Sequence, residues 1–245
     1  MTAPAVDWAA VRRDAEAIVA RYPKSRSALL PMLHLVQSVE GYVSQEGVGL
    51  CADVLGLTKA EVGAVATFYT MYKRRPCGEW LVSVCTNLSC QLRGGEEIYE
   101  HLGKKLGLHH DETDAEGTFT LEHAECLAAC DYAPVVTVNY EFYDCQTVET
   151  ADALVDALGR GERPLPTRGE ALKTFKEIER ELAGFVDVPD ARTGAVASGD
   201  PGGGAQGGGG VDSGAIGDDD NAASGTPGHA QQASGSGRAA PEGGA

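Results

Sequence analysis

The chain has 245 residues and a formal net charge of −16 at pH 7, which makes it a poor candidate for nonspecific binding to nucleic acids or anionic membranes. No apolar run approaches the length that a membrane-spanning helix requires, and the N-terminus does not predict a secretory signal. Seven cysteines in a chain of this kind favour metal binding or redox chemistry over a disulfide framework.

The first part of the chain predicts helices, because apolar residues recur there at the helical period. Ser44 is placed to cap a third helix, and Thr58 with Glu61 forms the T-x-x-E capping box that precedes a fourth. We expect the apolar stripe of that fourth helix to reach Tyr72. The stripes indicate a shared core, so we predict an N-terminal helical bundle over residues 1–76.

After residue 76 the pattern changes to strands mixed with helices, which predicts a compact α/β domain over residues 77–165. A hairpin turn at Asn139 and Tyr140 is expected to join its last two strands. A polar, acidic loop is expected at 109–116. The predicted elements in chain order are a strand at 80–84, a helix at 94–106, strands at 118–121, 135–138 and 141–143, and a helix at 150–158.

The end of the chain predicts a linker, an extension and a tail. Residues 160–168 are rich in Pro, Gly and Arg, and residues 166–186 form a C-terminal extension in which Leu172 to Leu182 predicts a helix. Residues 194–245 hold 17 of the 32 glycines and no aromatic residue, and they contribute −5 of the net charge, which leaves −11 for the rest. We therefore expect residues 187–245 to be a disordered, Gly-rich, acidic tail.

Four of the seven cysteines form two close pairs, Cys85 with Cys90 (C-x4-C) and Cys126 with Cys130 (C-x3-C). Each pair lies beyond a predicted strand or in a loop before one, where ligands converge on a rigid scaffold. Four thiolates suit a [2Fe–2S] cluster or Zn²⁺, and the lack of C-x2-C spacing favours the cluster and disfavours a dithiol redox site. The cysteines without a partner at ligand spacing are predicted not to be ligands: Cys51, Cys77 and Cys145.

The residues around the first pair are placed to support an anionic cluster. Backbone N–H groups at 86–89 and at the start of the helix near Gly94 are expected to donate towards the sulfurs. Gly94 and Gly95 would let the backbone approach closely, although a plain loop-to-helix turn explains the same residues. His123, three residues before Cys126, is predicted to be a surface or core side chain.

Three motifs together resemble one family: the stretch from Thr67 to Tyr72 (TFYTMY), the pair of Cys85 and Cys90, and the run from Cys126 to Val136 (CLAACDYAPVV). They are similar to the small peripheral [2Fe–2S] subunit of respiratory NADH:quinone oxidoreductase (complex I), which in bacteria is the E subunit. The resemblance implies a mixed α+β fold, in which an N-terminal helical bundle precedes a thioredoxin-like [2Fe–2S] ferredoxin domain. The cluster ligands that it implies are Cys85, Cys90, Cys126 and Cys130.

The same resemblance implies a function for the chain as an electron-transfer subunit of an NADH dehydrogenase. Its cluster would exchange single electrons with FMN, which, like NADH, would be bound by a larger partner subunit, because this chain shows no nucleotide motif of its own. No catalysis is expected from the isolated chain. Further partners would be other peripheral-arm subunits, at the cytoplasmic, inner face of the cell membrane, without nucleic acid and without direct insertion into the membrane.

Two alternatives remain open at this point. An equivalent subunit serves NAD-linked hydrogenases and formate dehydrogenases, and the sequence does not separate these hosts because the difference lies in the partner subunits. The alternative of another class is a zinc-stabilised interaction module without a redox role. Colour distinguishes the two classes, because a [2Fe–2S] protein is red-brown and a zinc protein is colourless.

Overall fold

The computed structural model describes residues 6–185, so the expected tail at 187–245 lies outside the described residues. Among the described residues, no helix is both long enough and apolar enough to cross a membrane. The helices are α1 Trp8–Val19, α2 Leu29–Glu40, α3 Gln45–Leu55, α4 Lys59–Phe68, α5 Leu88–Leu92, α6 Gly95–Leu106, α7 Val148–Gly159 and α8 Phe175–Leu182. The strands are β1 Trp80–Cys85, β2 Glu112–Thr113, β3 Phe119–Ala124, β4 Val136–Val138 and β5 Glu141–Tyr143.

Helices α1 to α4 share one hydrophobic core, as their apolar stripes predict. Their ends follow local chemistry: Ser44 Oγ accepts the N–H of Gly47 at 3.0 Å, and Thr58 and Glu61 form the predicted capping box. The largest of the fully buried side chains in this core are Ile18, Met32, Leu33 and Leu35.

The prediction that the fourth helix reaches Tyr72 is wrong, because α4 ends at Phe68 and Tyr69 is extended. Contacts with α2 draw the chain away from the helical path. Tyr72 is buried and its hydroxyl donates to Leu30 O at 3.0 Å, while the N–H of Lys73 donates to the buried Gln37 Oε1 at 2.6 Å. Buried hydrogen bonds of this kind outweigh the small gain from one further helical turn.

The five strands form one sheet in the order β2-β3-β1-β4-β5. Strands β1 and β3 are parallel and the other neighbours are antiparallel. Every residue of the central strand β1 is buried, which explains its nearly continuous apolar sequence. Helices α6 and α7 pack on each other and share the sheet's core. This order of strands and helices agrees with the expected mixed α+β fold.

The turn between β4 and β5 follows the prediction. Asn139 and Tyr140 have positive φ angles of 47° and 72°, as a two-residue hairpin turn requires. The acidic stretch at 109–116 differs from the predicted loop, since Glu112–Thr113 pairs with β3 as strand β2. Pairing with the edge of β3 is a contact that the polar composition of this stretch does not reveal.

The C-terminal extension packs on the helical bundle through α8, which contacts α2. Its helix begins at Phe175 and not at Leu172, because Thr174 caps it in a capping box with Glu177. Glu179 is fully buried and lies 2.6 Å from His34 Nδ1, and its second oxygen accepts the Tyr140 hydroxyl at 2.8 Å. This carboxylate therefore links α8, α2 and the β4–β5 turn. The domain limits at residues 76 and 165 remain predictions.

Candidate metal centre

The sheet brings the two cysteine pairs to one edge. Cys85 is the last residue of β1, and Cys126 follows the end of β3, whose residue Ala124 is in register with Cys85. Because β1 and β3 are parallel neighbours, their carboxyl ends lie side by side. Cys90 lies on α5, directly after β1, and Cys130 opens the short 3₁₀ turn that leads into β4.

The four thiols are arranged as an inner and an outer pair. The inner pair, Cys85 and Cys90, is buried in a small apolar cluster. The outer pair, Cys126 and Cys130, is exposed, and its sulfur atoms are 3.6 Å apart. The centre therefore has one buried side and one side that faces solvent.

A glycine at the start of α6 allows the inner pair to sit as it does. A Cβ atom on Gly95 would lie 2.5 Å from Cys85 O and 2.9 Å from Cys90 O, distances that real Cβ atoms do not reach. Gly94, directly before it, has a φ of 97°, in the region that favours glycine. The expected close approach of the backbone is confirmed at Gly95, whereas Gly94 serves the turn through its positive φ and, among the described residues, has no backbone atom close to where a Cβ would lie.

Helix α5, which carries Cys90, was not predicted from the sequence. It spans five residues, too few for a recognisable apolar period. Its local signal is Asn87, whose side chain accepts the N–H of Leu88 at 2.9 Å and so marks a helix start. The same side chain donates to Glu125 at 2.9 Å and ties the loop of the inner pair to that of the outer pair.

Polar groups of both loops act on the sulfurs. The N–H of Ala128 donates to Cys126 Sγ at 3.4 Å, and the Val135 backbone and the Ser89 side chain act to lower the pKa values of the Cys90 and Cys130 thiols, respectively. The expectation of a backbone donor at Thr86 is wrong, because its N–H instead donates to Ala124 O at 3.1 Å, in continuation of the sheet. Such donors stabilise negative charge on sulfur.

One thiol of each pair favours the protonated form. Burial, followed by the neighbouring Cys85 thiol, raises the pKa of Cys90 to about 11. The hydrogen bond with Cys126 is the main cause of the raised pKa of Cys130. Neighbouring thiols resist a second negative charge unless a cation compensates it, and a bound metal ion supplies that compensation.

The donor set fits a dinuclear cluster. Within residues 6–185, no three His, Cys, Asp or Glu side chains are grouped so that they could hold one metal ion. Two separate pairs of thiols match a [2Fe–2S] cluster, in which each iron takes two protein ligands. Cys85, Cys90, Cys126 and Cys130 are the residues that would hold it.

The remaining cysteines lie elsewhere. Cys51 is fully buried in the bundle core, and burial raises its pKa to about 12. Cys77 lies between the bundle and the sheet, where burial also raises its pKa to about 12. Cys145 is exposed on the loop after β5. His123 is exposed and its ring lies tilted against that of His110 at a centroid distance of 4.2 Å, in agreement with the surface or core role expected for it.

A family model described as thioredoxin-like [2Fe-2S] ferredoxin matches residues 15–159, more than half of the chain. The chain belongs to this family. The match includes both cysteine pairs and most of the helical bundle, and it ends before the C-terminal extension. The resemblance that the three sequence motifs carry is thereby confirmed, together with the thioredoxin-like fold.

Individual relatives of this thioredoxin-like [2Fe-2S] ferredoxin bear related names. It is 56% identical over 174 residues to the E subunit of NADH-quinone oxidoreductase from Mycobacterium tuberculosis (strain ATCC 25618 / H37Rv), covering 71% of this chain and 69% of that one. It is 38% identical over 151 residues to NADH-quinone oxidoreductase subunit 2 of Thermus thermophilus, covering 60% and 83%. The solved thioredoxin-like [2Fe-2S] ferredoxin of Aquifex aeolicus is 24% identical, with a TM-score of 0.31 over 40% of this chain and 94% of that one.

Proposed function

We propose that this ferredoxin is the electron-transfer subunit of an NADH-quinone oxidoreductase and that Cys85, Cys90, Cys126 and Cys130 bind its one [2Fe–2S] cluster. The observation that carries the proposal is the meeting of two thiol pairs at one sheet edge, in a chain 56% identical to the mycobacterial E subunit. When bound, the cluster takes up and releases one electron at a time, whereas NADH delivers two as a hydride. A flavin on a partner subunit must therefore lie between them.

The chain's own residues hold and tune this site. The apolar surroundings of the inner pair exclude water, and the N–H of Ala128, the Val135 backbone and the Ser89 side chain offset negative charge on the sulfurs. The exposed outer pair brings one side of the site to the surface. That side is where an electron has the shortest path to a partner.

Exposed apolar side chains beside the thiols support a docking face here. Leu88 and Leu92 on α5 are 66% and 78% exposed, and Tyr132, two residues after Cys130, is 48% exposed. Apolar groups gathered at one place on the surface mark a partner contact. We propose that this face meets the FMN- and NADH-binding subunit, and that the charge of −11 on residues 1–193 steers basic patches of that partner.

The relatives' shared name supports the wider assignment. Identity of 56% to the mycobacterial E subunit favours NADH-quinone oxidoreductase over a hydrogenase or formate dehydrogenase as the host complex. We place the chain in the peripheral arm of that complex, beside the other subunits of the arm. This arm would lie in the cytoplasm, against the inner face of the cell membrane.

The decisive experiment is reconstitution with the flavoprotein. We expect the full chain with its cluster to leave NADH unoxidised when alone, and its cluster to be reduced by NADH once the FMN-binding subunit is added. EPR of the reduced cluster is the measurement, and dithionite reduction of the isolated chain is the positive control. NADH oxidation by the isolated chain would contradict the proposal.

A second experiment tests the docking face. Replacing both Leu88 and Leu92 by Ser is expected to weaken binding to the flavoprotein at least tenfold, since burying one leucine stabilises a contact by about 1.5–3 kcal/mol and 1.4 kcal/mol corresponds to a factor of ten. The absorption spectrum of the cluster should not change. Leu165→Ser is the matched control, since Leu165 is equally exposed but lies in the segment after α7. Equal dissociation constants for both variants would place the docking face elsewhere.

A further inference from the structure

The residues that follow the family-matched part of the chain return to the ligand loops. We call residues 160–174 the return segment. Thr167 is hydrogen-bonded to β5 through its N–H and its hydroxyl, both donating to Phe142 O at 2.9 Å. Asp144 N–H donates to Thr167 Oγ1 at 3.0 Å, and Arg168 forms a single antiparallel bridge with Phe142. The return segment thus adds a short rung at the outer edge of the sheet.

This rung places Arg168 against the outer ligand turn. The guanidinium carbon lies 4.6 Å from the centre of the Phe142 ring and 5.3 Å from that of Tyr132. One guanidinium nitrogen lies 2.8 Å from Asp144 Oδ1, on a carboxylate that is only 11% exposed. Tyr132 ends the 3₁₀ turn that Cys130 opens. Arg168 therefore holds one end of a turn whose other end carries a thiol.

The rest of the chain holds the outer turn only in part, through the buried Ala129 and through Tyr132 O, which accepts the N–H of Cys145 at 2.8 Å. Both of its thiols are exposed, and Ala128 between them has a φ of 58°, which is unfavourable for any residue with a Cβ. A loop with few buried contacts opens more readily than the sheet behind it. A planar guanidinium can stack on two rings and pair with a carboxylate at once, which a lysine ammonium cannot.

Charge alone does not account for this arrangement. The Asp144 carboxylate neutralises the guanidinium at 2.8 Å, so the net field that Arg168 adds at the thiols is small. Beyond its charge, Arg168 supplies a flat surface against which the Tyr132 ring packs. Its effect on the centre must therefore act through the position of the turn.

We propose that Arg168 is a positioning residue for the outer ligand pair: by holding the Tyr132 ring it fixes the turn that carries Cys130, and so it sets the retention and the reduction potential of the cluster. The proposal rests on the ligand set proposed above. It gives a role in the cluster's chemistry to a segment that lies beyond the residues matched by the family model.

The test uses the full chain with its cluster and variants that keep the net charge: Arg168→Lys, Tyr132→Leu, and both together. Each is expected to lose iron to a chelator about two- to fivefold faster, the factor that one exposed cation–π contact is worth. Each should also raise the reduction potential, because a loosened outer turn admits water, which stabilises the more negative reduced state. The double variant should behave like either single variant, since both remove the same contact.

Two controls isolate the ring contact. Tyr132→Phe keeps the ring and should retain the native potential and rate of iron loss. Arg160→Lys changes an arginine of the same segment that pairs with Glu162, and it should also leave both quantities unchanged. Iron loss is followed by visible absorption, and the potential is followed by EPR during a chemical redox titration.

Three outcomes would overturn the proposal. They are a native potential and rate of iron loss in Arg168→Lys, additive effects in the double variant, or a lower melting temperature without a change in either readout. Because the titration uses chemical reductants, failure of NADH to reduce the cluster in the flavoprotein complex leaves the result interpretable. Failure of the ligand set itself would show separately, as a normal cluster spectrum after replacement of Cys126 or Cys130.

Discussion

Replacing any one of Cys85, Cys90, Cys126 and Cys130 by Ala is expected to abolish the [2Fe–2S] cluster or to leave it only in trace amounts. Each iron takes two of the four thiolates, so one missing sulfur leaves an iron without a protein ligand. Iron and labile sulfide content, together with visible absorption of the purified protein, measure the loss. The wild-type chain should hold two irons and two sulfides.

The other three cysteines provide matched controls for this experiment. Replacement of Cys51, Cys77 or Cys145 by Ser should leave the visible spectrum intact, since the first two lie in other parts of the fold and the third lies outside the two pairs. A bleached spectrum in Cys145→Ser, or a normal one in Cys126→Ala, would show that the ligand set is wrong. Stoichiometric zinc without labile sulfide in the native protein would favour the zinc-stabilised module.

The features that the sequence predicted well are those whose cause is local. The capping box of Thr58 and Glu61 and the turn at Asn139 and Tyr140 depend on a few neighbouring residues. The cysteine pairs are visible because ligand spacing is itself a local pattern. The meeting of the two pairs at the ends of β1 and β3 follows the general rule that ligands gather in loops at strand ends.

Most features that the sequence did not predict depend on contacts between distant segments. The end of α4 is set by Tyr72 and Lys73 reaching α2. Strand β2 is a more local case, since it forms by pairing with β3, the next strand along the chain. Neither cause leaves a periodic pattern in the residues concerned. Arg168 likewise looks like one charge in a linker until the fold brings it against Tyr132.

Buried polar groups show most clearly which features cannot be predicted from the sequence. Glu179 lies on a helix rich in charged residues, yet it is fully buried between His34 and Tyr140. Its partners come from α2 and from the β4–β5 turn, which lie 145 and 39 residues away along the chain. A buried carboxylate is tolerated because both of its oxygens are hydrogen-bonded, a condition that only the folded structure reveals.

Gly95→Ala is expected to lower both the stability of the fold and the amount of cluster bound. The added Cβ would lie 2.5 Å from Cys85 O and 2.9 Å from Cys90 O. Both are backbone atoms of residues that carry the inner thiols, so relief of the clash must displace the ligands themselves. Overpacking of this kind costs about 1–3 kcal/mol of folding free energy, and the displaced thiols should also reduce the amount of cluster bound.

Gly63→Ala is the matched control, because it makes the same change inside α4 where no atom lies within 4 Å of the added Cβ. Alanine is favoured over glycine inside a helix, so this variant should gain about 0.5–1 kcal/mol and keep its cluster. Urea unfolding measures the free energy of unfolding, which should fall in Gly95→Ala and rise in Gly63→Ala. Iron content measures the amount of cluster that each variant binds. If Gly95→Ala matched the wild type in both, the close approach of α6 to the inner pair would not hold the centre together. If Gly95→Ala lowers the free energy of unfolding and Gly63→Ala raises it, assembly of the cluster depends on having no side chain at residue 95, the start of α6.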